Sequence, residues 1–185
     1  MSTIKYEIIF FSNWHCGSGQ AAGADVDMLV IKDCQGLPYV PGKTIKGLLR
    51  DAATVLSCPK AFVDRIFGVS GDKVNPQLGD AYFCNATFPK TESDYIVSEK
   101  LTPYLYQSFA STAIDDQGIG KNATLRKVET VVPCKLEGSI LCVPEDAVSK
   151  FIELMKYIKR IGVGRNRGFG RCQLTIKGIE KEEEK

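Results

Sequence analysis

The spacing of apolar and polar positions changes period several times along this chain, and each change marks an element. From Ile4 to Phe11, β-branched and aromatic side chains crowd together and stop at the Gly17-Ser18-Gly19 turn, which predicts a first strand. A stretch of small residues then leads to Met28-Leu-Val-Ile-Lys32, expected as a short second strand. After Pro38-Tyr-Val-Pro-Gly42 the period lengthens: Ile45, Leu48, Leu49, Ala52 and Leu56 share one face of a helix, with Thr44 placed as its N-cap.

Farther along, Ala61 to Phe67 reads as a short helix and Asp80 to Phe88 as an alternating strand. Polar and charged residues dominate from Thr91 to Val128. There Ser111-Thr-Ala-Ile-Asp115 and Ala123-Thr-Leu-Arg-Lys-Val128 flank a Gly118/Gly120 turn, which predicts a hairpin arm inserted at about 91–130. Val131 to Val143 is a long strand. Pro144, Glu145 and Asp146 open a second main helix, and Phe151, Leu154, Met155, Ile158 and Ile161 keep its period. Arg171 to Ile179 supplies the last strand, with Cys172, Leu174 and Ile176 alternating against Gln173, Thr175 and Lys177. The order of elements predicts an α+β, ferredoxin-like βαββαβ unit spanning 1–185 as one domain, with both helices on one face of the sheet. RNA-recognition domains share this architecture, but their aromatic signature is missing, so the fold leaves function open.

Composition narrows the choices. A chain of 185 residues that is 44% hydrophobic and 25% charged suits a single globular domain, and a net charge of +2 excludes a polybasic nucleic-acid coat. Any electrostatic footprint must be local. Basic residues do collect, around Lys43 to Arg50, Lys121 to Lys127 and Lys156 to Arg171, while acids gather in a solvated tail at 180–185. The seven cysteines form no CxxC pair and no signal peptide precedes them, which predicts a reduced, cytoplasmic compartment in which the thiols act as small core residues. With one histidine, a zinc site would have to be nearly all cysteine. No apolar run approaches the ~20 residues of a membrane span.

The segment richest in chemistry is Arg160-Ile-Gly-Val-Gly-Arg-Asn-Arg-Gly-Phe-Gly-Arg171, four arginines and four glycines in twelve residues. Glycines allow backbone amides to converge on an oxyanion and guanidinium groups donate in pairs to phosphate, so an anion-binding loop is expected. The plain alternative is a helix C-cap and a turn into a strand. No Gly-Lys-Ser/Thr follows, and the glycines lead out of a helix rather than into one, so neither a P-loop nor a dinucleotide fingerprint fits. A nucleic-acid backbone, with phosphates in a row, fits better. Lys43, Lys46 and Arg50 lie together on α-helical spacing, either as part of the same footprint or as a solvated stripe.

Three segments together, Pro38-Tyr-Val-Pro-Gly-Lys-Thr-Ile-Lys-Gly-Leu-Leu-Arg50, the Ser108-to-Pro133 arm with Ala113-Ile-Asp and Val128-Glu-Thr-Val-Val-Pro133, and Gly162 to Arg171, resemble the RAMP superfamily of CRISPR proteins. Members carry a PGSSLKGxxR-type segment opening the first helix and an RGFGR-type glycine-rich loop. Asp27-Met-Leu-Val-Ile-Lys-Asp33, preceded by His15-Cys-Gly-Ser-Gly19, is similar to a segment of the repeated backbone subunit of type III effector complexes, whose leading aspartate cuts target RNA. The resemblance implies a guide-RNA-binding subunit that stacks with copies of itself and other effector subunits. Its arm would wedge into the guide–target duplex. The chain is shorter than the usual backbone subunit.

By that match Asp27 is the cleavage residue and the metal-holding one, with Mg2+ or Mn2+ as a transient cofactor, and Asp25 and Asp33 are bystanders. The RNA-binding set is His15, Lys43, Lys46, Arg50, Arg126, Arg160, Arg165, Arg167, Phe169 and Arg171. A lone carboxylate suits magnesium, which keeps most of its waters beside phosphates, and a splayed nucleotide brings its 2′-hydroxyl into line for attack. Without the resemblance, Asp27 reads as an Asx-turn or surface carboxylate. Two other activities stay open: a metal-independent guide-processing ribonuclease using His15 as general base, and a non-catalytic RNA-binding subunit.

Overall fold

The computed structural model describes residues 1–20, 26–69, 77–121 and 123–181. Asp25, Asn122 and residues 182–185 lie outside the described residues.

Four strands build the main sheet: β1 (Ser2–Phe10), β2 (Tyr82–Phe83), β5 (Lys135–Val143) and β6 (Cys172–Lys181), in the order β2-β5-β1-β6. Every neighbouring pair is antiparallel, so β5 separates β1 from β2 as the third strand does in a ferredoxin-like βαββαβ unit. Alternation on β1 sends Ile4, Tyr6, Ile8 and Phe10 to the buried face. There they meet α1 (Gly42–Val55), α2 (Lys60–Phe67) and α4 (Val148–Tyr157). Phe67, Phe83 and Phe151 close the core as a triangle of rings with centroids 5.8 to 6.2 Å apart. On the opposite face Glu7 sits between Lys135 at 3.4 Å and Lys177 at 3.6 Å.

The structure moves several expected boundaries, each for a local reason. Helix α1 starts at Gly42, so Thr44 lies within its first turn; the N–H of Gly42 is instead capped by the side-chain oxygen of Asn85, 2.9 Å away. Met28 to Lys32 makes only isolated bridges, because its hydrogen bonds alternate between two partners and one goes to a side chain, the Val30 N–H donating to Glu129 Oε2 at 3.0 Å. The strand expected over Asp80 to Phe88 shrinks to Tyr82–Phe83 plus isolated bridges at Ala86 and Thr87. Val131 closes β4 (Arg126–Val131), and β5 begins only at Lys135. The region expected to open the arm forms helix α3 (Lys90–Ser98) and a 3-10 turn at Thr102–Leu105. The arm proper is the two-stranded ribbon of β3 (Tyr106–Ser111) and β4. Helix α4 ends at Tyr157, short of the expected Ile161.

Of the seven cysteines expected as small core residues, Cys16 and Cys172 are buried, Cys58, Cys84, Cys134 and Cys142 are half-buried, and Cys34 is exposed beside the Asp33 turn, so the expectation holds fully for two only. Burial, joined for Cys16 by the neighbouring Cys172, pushes the Cys16 thiol up to about 12, and burial likewise lifts Cys172 and Cys134 to about 12. No helix among the described residues is long and apolar enough to cross a membrane.

Candidate nucleic-acid interface

The arginine–glycine segment is a closed loop at the sheet end where β1 leaves and β6 enters. Arg160 and Arg171 pair as a bridge at its base, and α4 has already ended, so the glycines are not a helix cap. Gly162 (φ 96°) and Gly170 (φ 69°) are in a region that L side chains rarely adopt, and a Cβ on either would collide with backbone, the carbonyl of His15 in one case and of Ile161 in the other. Backbone hydrogen bonds to the segment that follows β1 lock the loop in place. Val163 N–H donates to His15 O at 2.9 Å, Gly170 N–H to Asn13 O at 2.7 Å, and Phe11 N–H to Arg171 O at 2.8 Å. Arg165, Arg167 and Arg171 are exposed on the loop. The Arg160 guanidinium donates to Arg165 O at 2.6 Å, which stiffens the loop from within.

Helix α1 is driven close to β2 by Gly42, where a Cβ would meet the Phe83 carbonyl. The glycine of the Pro-Gly-Lys motif thus seats the helix, and leaves Lys43, the next residue, exposed on its first turn. Seated this way, α1 and the loop form a groove of about 320 Å³ lined by His15, Gly17, Lys43, Thr44, Gly162 and Arg165 among others. Lys43 and Arg165 are brought together there. Lys46 and Arg50, half-buried on another flank of α1, do not line this groove.

Arg167 turns the other way, toward the arm. It meets Arg126 across a notch of about 420 Å³ whose remaining lining is Ser111, Thr112, Ala113, Ala123 and Thr124. The arm is held over the loop by Phe109 and Phe169, whose rings meet edge to face with centroids 5.1 Å apart.

His15 is wholly buried. Its Nδ1–H donates to the Glu129 carbonyl at 2.6 Å, while Nε2 is buried without a hydrogen-bond partner. Asp27 is exposed and lines a depression of about 220 Å³ shared with His15, Gly17 and Gln20. Its N–H donates to Lys127 O at 3.0 Å and its Oδ2 accepts from Lys127 N–H at 2.7 Å, so it clamps the outer end of the β3–β4 ribbon, where Lys127 pairs with Ala110. Asp33 serves as a turn former, Oδ1 accepting the N–H groups of Gln35 and Leu37, each at 2.9 Å.

Sequence reasoning missed Glu129. Its Oε2 accepts from Val30 N–H, its Oε1 from Lys32 Nζ at 2.8 Å, and its carbonyl from His15, so one residue ties the arm, the Asp27 segment and His15 together. Lys32 also lies 3.9 Å above the ring of Tyr106, whose hydroxyl donates to Gly36 O at 2.5 Å. Burial, then the nearby Glu129 and Asp33 carboxylates, raise the Tyr106 hydroxyl far above its ordinary value and keep it a donor. Nothing in the spacing around Glu129 signals this, because its partners lie about a hundred residues away in the chain.

Among the described residues no three His, Cys, Asp or Glu side chains gather as a metal cage. What the chain offers is Asp27 Oδ1, a single oxygen beside the clamped Oδ2. One carboxylate oxygen fits magnesium or manganese held mostly by water and phosphate rather than by protein.

The family model for the RAMP superfamily matches residues 7–173. A chain in the cryo-EM structure of a Type III-B Cmr-beta complex bound to cognate target RNA superposes with a TM-score of 0.75 at 10% identity, over 94% of this chain and 96% of that one. A chain in the apo state of Type III-B Cmr-beta gives a TM-score of 0.72 at 11% identity, over 95% and 97%. No curated protein matches the sequence.

Proposed function

The chain belongs to the RAMP superfamily, and from that premise we propose that it is an RNA-binding subunit of a type III CRISPR effector complex. It holds guide RNA across α1 and the arginine–glycine loop and presents Asp27 to paired target RNA. The observation that carries this reading is the convergence of Lys43 and Arg165 in one groove and of Arg126 and Arg167 in the next. These four cations come from three distant parts of the chain, and the two grooves are joined by the loop. A row of such sites suits successive phosphates better than one small anion. Its partners are guide RNA, target RNA, other copies of the chain and other effector subunits; that the relatives are Cmr complexes, one of them bound to target RNA, supports this assignment.

For cleavage, the Asp27 carboxylate sits beside the outer part of the arm ribbon, at Lys127, where a deformed nucleotide would pass. A divalent cation bound at Asp27 would supply charge stabilisation at the scissile phosphate. Asp27 Oδ1 would hold that cation through its waters, and the arm would keep the target out of helical geometry so that its own 2′-hydroxyl attacks phosphorus in line as the P–O5′ bond breaks, water taking the 2′ proton and returning one to the leaving 5′-oxygen, which leaves a 2′,3′-cyclic phosphate and a 5′-hydroxyl. Guide processing by His15 as general base is less well supported: a base must reach the hydroxyl it deprotonates, and His15 is buried with Nδ1 already committed.

The test is to mix the purified chain with guide and target RNA and image the assembly while following target length. Helical particles with one subunit per fixed nucleotide interval, and scission at that same interval, are expected. Particles of one subunit without affinity for RNA would overturn the proposal.

A further inference from the structure

Between the C-terminal ends of α1 and α4, on the far side of Arg165 from the His15 groove, lies a second groove of about 300 Å³ that the proposed phosphate track does not use. Its floor is apolar: Ala52 and Ile158 are buried, Leu48 is half-buried and Val55 stands 60% exposed at the edge. Tyr157, the last residue of α4, is 48% exposed and presents its ring at the wall. Lys159, Arg160 and Arg165 form the basic side of the lining, and none of the three has an ion-pair partner among the described residues.

We propose that this groove takes one unstacked nucleobase of single-stranded RNA, stacked on Tyr157, while the phosphates on either side of it rest on Arg160 and Arg165. The division of labour follows from charge. Two helix C-termini converge on the groove and carry partial negative charge, so a phosphate is disfavoured inside; Asp51 lines both this groove and the Lys43/Arg165 groove. The apolar floor and the exposed ring favour a flat, uncharged group there. Cations at the margin favour phosphate outside. An aromatic platform interleaved with cations along a groove is the arrangement that single strands require, and Asp51 accepts a hydrogen bond from the donor groups of the base edge. The Arg160 guanidinium, fixed by the Arg165 carbonyl, keeps that margin rigid before RNA arrives. The inference rests on the RNA-binding reading above and adds to it a base-binding site beside the phosphate track, sharing Arg165 with it.

The experiment measures affinity across salt for the shortest single-stranded RNA that the full chain binds with full affinity, and for the same RNA carrying one abasic ribose at each position in turn. Tyr157→Ala should weaken the parent RNA about tenfold, the loss of one stacked base, with an unchanged salt slope, since the lost contact is not ionic. Tyr157→Phe should bind as the parent does. One abasic position should weaken binding by the same factor and add nothing further in Tyr157→Ala. If the unmodified chain binds no RNA, both readings fail. If it binds RNA with a steep salt dependence but Tyr157→Ala binds equally well, the base site alone is overturned. It is equally overturned if Tyr157→Ala changes only the size of the assembly, because the groove is then a protein contact.

Discussion

The ring of Phe109, on the arm, meets the ring of Phe169, in the arginine–glycine loop, with centroids 5.1 Å apart and planes at 72°. The quadrupoles of two such rings attract edge to face. Through this contact the arm and the loop share one surface, and the Arg126/Arg167 notch lies beside it. Removing both rings should show coupling: a double-mutant cycle of Phe109→Ala and Phe169→Ala, followed by urea unfolding, is expected to return an interaction of about 0.5–1.5 kcal/mol. Additive losses would mean that the arm is positioned by its base alone.

The loop glycines should differ in cost according to what a Cβ meets. Gly168 has φ 90° with open space around it, so Gly168→Ala carries only the backbone penalty, about 1 kcal/mol. Gly162→Ala adds a clash with the His15 carbonyl and should cost roughly 2–4 kcal/mol, with loss of RNA affinity as the loop shifts. Chemical denaturation of the two variants compares them directly; equal costs would argue against a locked loop.

Asp27 is a clamp in the structure and the proposed cleavage residue, and two substitutions separate these roles. Asp27→Asn keeps an acceptor for the Lys127 N–H but loses the charge; Asp27→Ala loses both. If cleavage depends on the carboxylate, neither variant cuts target with magnesium or manganese while both still bind it. The clamp reports separately: the Lys127 amide should exchange with deuterium faster in Asp27→Ala than in Asp27→Asn.

Cations that share a groove should matter more than those that do not. Lys43→Ala and Arg165→Ala are each expected to weaken RNA binding for every sequence and to lower the slope of log affinity against log salt by about one. Lys46→Ala and Arg50→Ala, outside that groove, should do less. Equal effects of all four would place the RNA on a different flank of α1.

Alkali should destabilise the chain through its buried thiols. The folded-state values of Cys16, Cys134 and Cys172 are raised from 9.0 to about 12, so the folded state holds protons that the unfolded chain releases. Their contribution is intact below pH 9 and is lost as pH climbs from 9 toward about 12, at up to about 1.4 kcal/mol per pH unit for each thiol. Urea unfolding at rising pH measures the slope, and Cys16→Ala should make it shallower.

The sequence by itself determined what depends on local period and composition. The apolar faces of β1, α1, α4 and β6, the order that makes a ferredoxin-like unit, the turn-centred arm and the arginine–glycine loop were all legible, because each is written in residues a few positions apart. Tertiary structure decided which of those residues meet. Period places Lys43, Lys46 and Arg50 on one side of α1, but only the packing of α1 against the loop turns Lys43 toward Arg165 and leaves the other two aside. Composition marks His15 and Asp27 as chemically able, but only the fold buries one and binds the other to Lys127. The reason is that hydrogen bonds such as Glu129 to Val30 and ring contacts such as Phe109 to Phe169 join points far apart in the chain. No local pattern encodes the partner of such a bond; it exists only when the whole sheet and its helices have brought both ends to the same place.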